Sequence, residues 1–173
     1  MNEVWSMQKI KQLLSDNVQE SLNLDYKAAD ALSKTDVKKA EITKDISAMA
    51  NSDGGIIIYG IKEDQNNKNF PGEIDPINQK EFSKEWLEQV INNIRPKIEG
   101  IIITSIPVDK DNNTVIYVVQ IPQSTTVHQA LDKRYFKRFN FVSTPMDDYE
   151  IRDVMGRGTW RNWEGKKGTP VRM

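Results

Sequence analysis

Apolar positions recur along this chain at two spacings, and each spacing predicts an element. Met7, Ile10, Leu13 and Leu14 lie at helical intervals, which predicts a first helix from about Val4 to Leu14 that stops near Asp16-Asn17. In "ESLNLDYK", Glu20 to Lys27, Leu22, Leu24 and Tyr26 alternate with Asn23, Asp25 and Lys27. Such alternation predicts a strand with one side on a core and an acid and a base on the other. Residues 28–37 read as a polar connection. Ile42, Ile46 and Met49 then place one apolar face on a helix from about Val37 to Ala50, with Asn51 at its end and "NSDGG" as a turn.

The next run, "IIIYGI", is apolar throughout and bounded by glycines, as expected of a central strand covered on both faces. "KEDQNNKNFPGEIDP" reads as a loop. Phe82, Trp86, Val90 and Ile94 mark a further helix closed by Arg95-Pro96. "IIITSIPV" and "TVIYVVQI", joined by "DKDNN", read as a hairpin, and "KRYFKRFNF" as another strand. "PMDDYEIRDVM" predicts a short helix with acids in its first turn. The expectation is an α+β fold, a mixed β-sheet with helices packed on it. It places one domain over residues 1–155 and a basic, Trp-containing tail or linker over residues 156–173.

Composition narrows the function. At 173 residues the chain can bury a real core, and 28% charged beside 38% hydrophobic residues is ordinary for a globular protein. The run Ile56 to Ile61 is too short to span a bilayer, so no membrane partner is expected. "MNEVWSMQKI" has no basic region followed by an apolar stretch, and no secretory signal is expected. The absence of cysteine excludes disulfides and thiolate metal sites and fits a cytoplasmic location. Net charge is −1, but Lys133 to the end carries 10 Lys/Arg against 5 Asp/Glu, while residues 1–132 carry 14 against 20. That asymmetry points to a localised binding face; a merely solubilising tail is the plainer reading.

Asp25 and Lys27, two apart on a strand, share a face at a separation of about 7 Å. Chemistry on phosphodiesters uses such pairs: carboxylates hold Mg²⁺ or Mn²⁺, and a lysine offsets charge. Glu20 reaches the same place if the chain turns near Ser21. Glu63 and Asp64, leaving the end of the buried strand, offer a third acid. The plainer reading is a solvated strand face with a local ion pair. No GxxxxGK[ST] motif accompanies the glycines of "NSDGG", so P-loop hydrolysis is not supported. His128 is the only histidine, which excludes a two-histidine ribonuclease and a histidine-rich zinc site.

Three stretches in order, "ESLNLDYK", "ISAMANSDGGIIIYGIKED" and "RYFKRFNFVSTPMDDYEIRDVM", resemble the Schlafen AlbA_2 domain family over roughly residues 18–155. The resemblance implies a nucleic-acid-binding fold and, in the Schlafen branch, a metal-dependent endoribonuclease that cleaves tRNA and rRNA through three acids. Matched by position, two of these are Glu20 and Asp25, and the third is Glu63, or Asp64 in a different register. This chain departs from the family pattern: Asp25 stands for the usual Glu, Tyr26 for Phe, and Lys62 for the first Asp after the buried strand. Many prokaryotic members carry the same acids and are described only as DNA-binding modules or regulators.

Lys133, Arg134, Lys137 and Arg138 interleave with Tyr135, Phe136 and Phe139. These cations are the expected contacts to RNA or DNA phosphates, while Phe136 and Phe139 are assigned to the core. Trp160 and Trp163, between Arg157, Arg161 and Lys166, repeat the pattern and are read as tail or as packing against a partner chain. Three readings result. One is a nuclease with Glu20, Asp25, and Glu63 or Asp64 on Mg²⁺ or Mn²⁺ and Lys27 in support. Another is a binding module without catalysis. The third is a protein-interaction domain, as in a homodimer.

Overall fold

Serine and threonine set the helix starts among residues 4–165, which the computed structural model describes, with side chains as far as Arg157. Ser6 caps α1 (Met7–Ser15) by accepting from the Lys9 amide. β1 (Leu24–Lys27) follows, then a short 3-10 turn at Ala29–Ala31. Thr35 caps α2 (Asp36–Asn51) by accepting from the Lys38 amide. β2 (Gly55–Tyr59), β3 (Ile61–Glu63), β4 (Pro71–Ile74) and β5 (Ile77–Asn78) come next. Ser83 caps α3 (Lys84–Ile91), and β6 (Ile102–Asp109), β7 (Thr114–Ile121), β8 (Phe136–Phe139), β9 (Val142–Pro145) and α4 (Asp148–Gly165) complete the order.

β1 pairs parallel with β2, β2 antiparallel with β7, and β6 antiparallel with β7; β5 adds a short antiparallel pairing to β7. The sheet is therefore mixed and the fold α+β. Alternation along the central strands feeds two cores. Ile57, Tyr59, Val115, Tyr117 and Val119 pack with Ile42, Ile46 and Met49 of α2 and Leu87 and Val90 of α3. Ile58, Ile116 and Val118 pack with Trp5 and Ile10 on the α1 side. At roughly 25 cal/mol per Å² of apolar area removed from water, these two layers dominate the stabilisation.

Three expectations are corrected. Only Leu24–Lys27 of the Glu20–Lys27 stretch is strand, because Ser21 and Leu24 exchange backbone hydrogen bonds that close a turn between them. The stretch read as a loop after Ile61 holds the β3–β4 hairpin, whereas the strand expected in "KRYFKRFNF" is present as β8, paired with β9. The helix expected over "PMDDYEIRDVM" runs on to Gly165, across the expected boundary at 155/156; glycines at 156 and 158 weaken its helical signal. Residues 166–173, Lys166 among them, and the side chains of Arg161, Trp160 and Trp163 lie outside what is described. Among the described residues no helix is long and apolar enough to cross a membrane.

Candidate functional site

The end of α2 and the turn after it hold two distant parts of the chain together. Asn51 donates from Nδ2 to the carbonyls of His128 and Phe136 (3.0 and 2.9 Å) and accepts from the His128 amide. Ser52 Oγ accepts from the Arg138 amide at 2.9 Å. Gly54, at φ +74°, lies so close to Ile121 and Gln123 that a Cβ there would sit 2.6 Å from the Gln123 nitrogen. Only glycine combines that dihedral with that approach. Asn23 donates to the Gly54 carbonyl and accepts from the Ile56 amide, which fixes the turn beyond Glu20. "ANSDGG" is thus a clamp on two segments, not a phosphate cradle.

What the clamp brings together is a buried ionic cluster. β1 register sets Asp25 beside Ile57 and Lys27 beside Tyr59, so both side chains point toward α2. Asp25 is 2% exposed, and its Oδ2 accepts from Arg138 Nη1 at 3.2 Å and from Lys27 Nζ at 3.2 Å. Lys27 Nζ also lies 3.4 Å from Asp45 Oδ2, and Ser143 Oγ donates to Asp45 Oδ1 at 2.8 Å. Arg138 Nη2 donates to the Ser21 carbonyl at 3.2 Å. Glu20, 4% exposed, accepts from the Tyr26 amide at 3.0 Å and shares a hydrogen bond with Asp25.

Electrostatics follow from burial. Burial, then the hydrogen bond to Asp25 and its charge, push the Glu20 carboxyl up to about 8; Glu63 adds to this and the Tyr26 amide opposes it. Burial works against the Lys27 charge, yet Asp45 and Asp25 outweigh it and hold the ammonium above its ordinary range. Burial also raises Asp45, against the pull of Lys27. The Tyr59 phenol, buried without a hydrogen-bond partner among the described residues, is pushed up by burial first and then by Asp45 and Asp25.

This geometry does not fit a divalent cation as it stands. Among the described residues no group of three His, Asp or Glu side chains is arranged to hold a metal ion. One oxygen of Asp25 already serves two cations. Glu63 is exposed on β3 and acts on Glu20 through its charge alone. Asp64 Oδ1 accepts from the Asn66 and Asn67 amides, both at 2.9 Å, so it stabilises its own loop rather than facing Asp25. The polar face of β1, solvated on the plainer reading, is covered at Asp25 by Arg138 of β8, while Lys27, beside Asp45 of α2, stays partly exposed.

The cations of "KRYFKRFNF" divide. Lys133 and Arg134 are exposed, with Arg134 lying over the buried Phe136 ring at 5.2 Å. Lys137 pairs with Glu150 of α4. Arg138 is 5% exposed and belongs to the cluster, not to the surface. Phe136 is in the core as expected, but Phe139 is 60% exposed at the end of β8. The reason is parity: three residues apart, Phe136 and Phe139 face opposite sides of a strand, while Phe136 and Arg138 share one.

Sequence reasoning missed Asp45, Ser143, Tyr59 and the role of Asn51. Asp45 left a trace, since it lies on the apolar stripe of α2 between Ile42 and Met49 at helical spacing, where a buried acid needs a partner. Ser143 left none.

Among curated proteins none matches the chain. The solved DIP2311 protein from Corynebacterium diphtheriae is similar at 14% identity and a TM-score of 0.57, over 87% of this chain and 31% of that one. This likeness is one of fold, and the chain spans about a third of that protein's length. A family match, to "Schlafen, AlbA_2", covers residues 20–147 and so takes in Glu20, the α2–β2 clamp and the β8–β9 hairpin. The chain belongs to the Schlafen AlbA_2 family, a family related in general to nucleic acids.

Proposed function

We propose that this domain binds nucleic acid through the Lys133–Phe139 segment and that it acts by holding an unpaired stretch of RNA or DNA. The observation that carries this is the exposure of Phe139 on the same short segment as exposed Lys133 and Arg134. Val142, its cross-strand partner, is exposed as well, and an apolar patch of that kind among polar residues marks an interaction site. Bases stack on such rings and phosphates meet the flanking cations, with little demand on sequence. Fluorescence anisotropy with labelled single-stranded RNA, single-stranded DNA and duplex, over a range of salt, tests it. The expected result is salt-sensitive binding, weakened by Phe139→Ala and by Lys133→Gln with Arg134→Gln. Binding equal to wild type in both variants would remove the proposal.

A second reading, cleavage of structured RNA such as tRNA with Mg²⁺ or Mn²⁺, is supported by the contact between Glu20 and Asp25. It requires the ion pairs of Asp25 to open when RNA binds, because in the free protein Arg138 and Lys27 hold the oxygen that the ion would need. Incubation with tRNA, with Mn²⁺ or EDTA, tests it: cleavage abolished by Glu20→Ala favours it, and intact tRNA under every metal condition removes it.

A further inference from the structure

Arg138 occupies the position where the acidic cluster most needs positive charge. It arrives from β8, 113 residues beyond Asp25, and its guanidinium side chain is 1% exposed. We infer that Arg138 takes the place of a divalent cation in this chain, so that Glu20 and Asp25 form a latent metal site held closed by an internal guanidinium.

Asp25 Oδ2 has two acceptor directions, and Arg138 Nη1 and Lys27 Nζ use both at 3.2 Å. A divalent cation ligated by that oxygen would sit about 2.0–2.6 Å from it, against two positive groups. Arg138 and Lys27 also balance the charges of Asp25 and Asp45, so an added dication would leave the buried site with excess positive charge. Finally, the guanidinium cannot withdraw by losing a proton, since arginine stays charged in proteins. To leave, it must give up the Ser21 carbonyl and enter water, while its backbone stays fixed by Ser52 and by Asn51 at Phe136. Metal occupancy of this cluster is independent of whether the Phe139 face binds nucleic acid.

Mn²⁺ is the probe, read by electron paramagnetic resonance of the unbound ion and by thermal unfolding of the full chain. Wild type is expected to take up no Mn²⁺ in a manner that depends on Asp25. Arg138→Gln keeps a donor for the Ser21 carbonyl and removes the charge. It is expected to bind Mn²⁺ at least about tenfold more tightly than wild type, with Mn²⁺ raising its unfolding midpoint, and to lose both effects when Asp25→Asn is added. Uptake of Mn²⁺ by wild type that Asp25→Asn abolishes would overturn the inference, as would a folded Arg138→Gln that gains no affinity. Should Arg138→Gln not fold, the wild-type titration against Asp25→Asn decides alone.

Discussion

Asp25 and Arg138 are paired at 3.2 Å in the interior, joining the first strand of the sheet to a hairpin outside it. A buried pair of this kind contributes little over a well-packed apolar pair, but losing one partner strands a charge. Arg138→Met and Asp25→Asn are each expected to lower stability by about 3–5 kcal/mol in urea unfolding, and the double variant by clearly less than the sum. Additive losses below about 1 kcal/mol would show that the pair is not formed in solution.

Glu20 gives the domain a pH dependence of a defined sign. Its carboxyl sits near 8 in the fold against an ordinary 4.5, so the native state keeps a proton that the unfolded chain releases. The resulting stability is complete below about pH 4.5 and is lost as pH rises through about 8. Glu20→Gln stays neutral, so this decline is expected to flatten in midpoints measured from pH 5 to 9. A variant whose stability falls with pH as steeply as wild type would place the titration elsewhere.

Asn51 satisfies three buried backbone groups at once. Asn51→Ala leaves them without partners and is expected to cost roughly 2–4 kcal/mol. Because those groups belong to His128 and Phe136, hydrogen exchange should speed up first at the His128 amide and in the β8–β9 hairpin. Protection there equal to wild type would argue against the clamp.

Phe139 separates binding from folding. Being mostly exposed, it contributes little to the core, so Phe139→Ala should leave the thermal midpoint within about 1 °C of wild type. Its expected effect is on affinity for single strands, about 1–3 kcal/mol for a stacked base. Replacing Lys133 and Arg134 should instead reduce the slope of log K against log salt by about 0.7 for each phosphate no longer neutralised. A midpoint that drops with Phe139→Ala while affinity holds would return the ring to a structural role.

Much of the scaffold was legible. "IIIYGI" announced a central strand, and β2 lies between β1 and β7, although it ends at Tyr59 and Ile61 belongs to β3 in another sheet. Ile42, Ile46 and Met49 announced α2, whose observed span of Asp36–Asn51 differs little from the expected one. These readings worked because helix and strand periods follow from backbone geometry, which every residue in the run obeys. The acids Glu20 and Asp25 were also singled out, as candidate metal ligands, with Asp25 on the polar face of a strand. Nothing in "ESLNLDYK" says that a second layer covers that face, since burial of Asp25 is set by Asp45 and Arg138, which arrive from two other elements.

The sequence alone determined the periodic elements, the family and the presence of two acids and a lysine around one strand, because each is local in the chain. Tertiary structure decided their electrostatic state. A lone carboxylate in water and one joined to a guanidinium 113 residues away have the same letter in the sequence and opposite behaviour. Coulomb interactions depend on separation in space and on exclusion of water, and both exist only after the clamp at Asn51–Gly54 has brought β8 against β1.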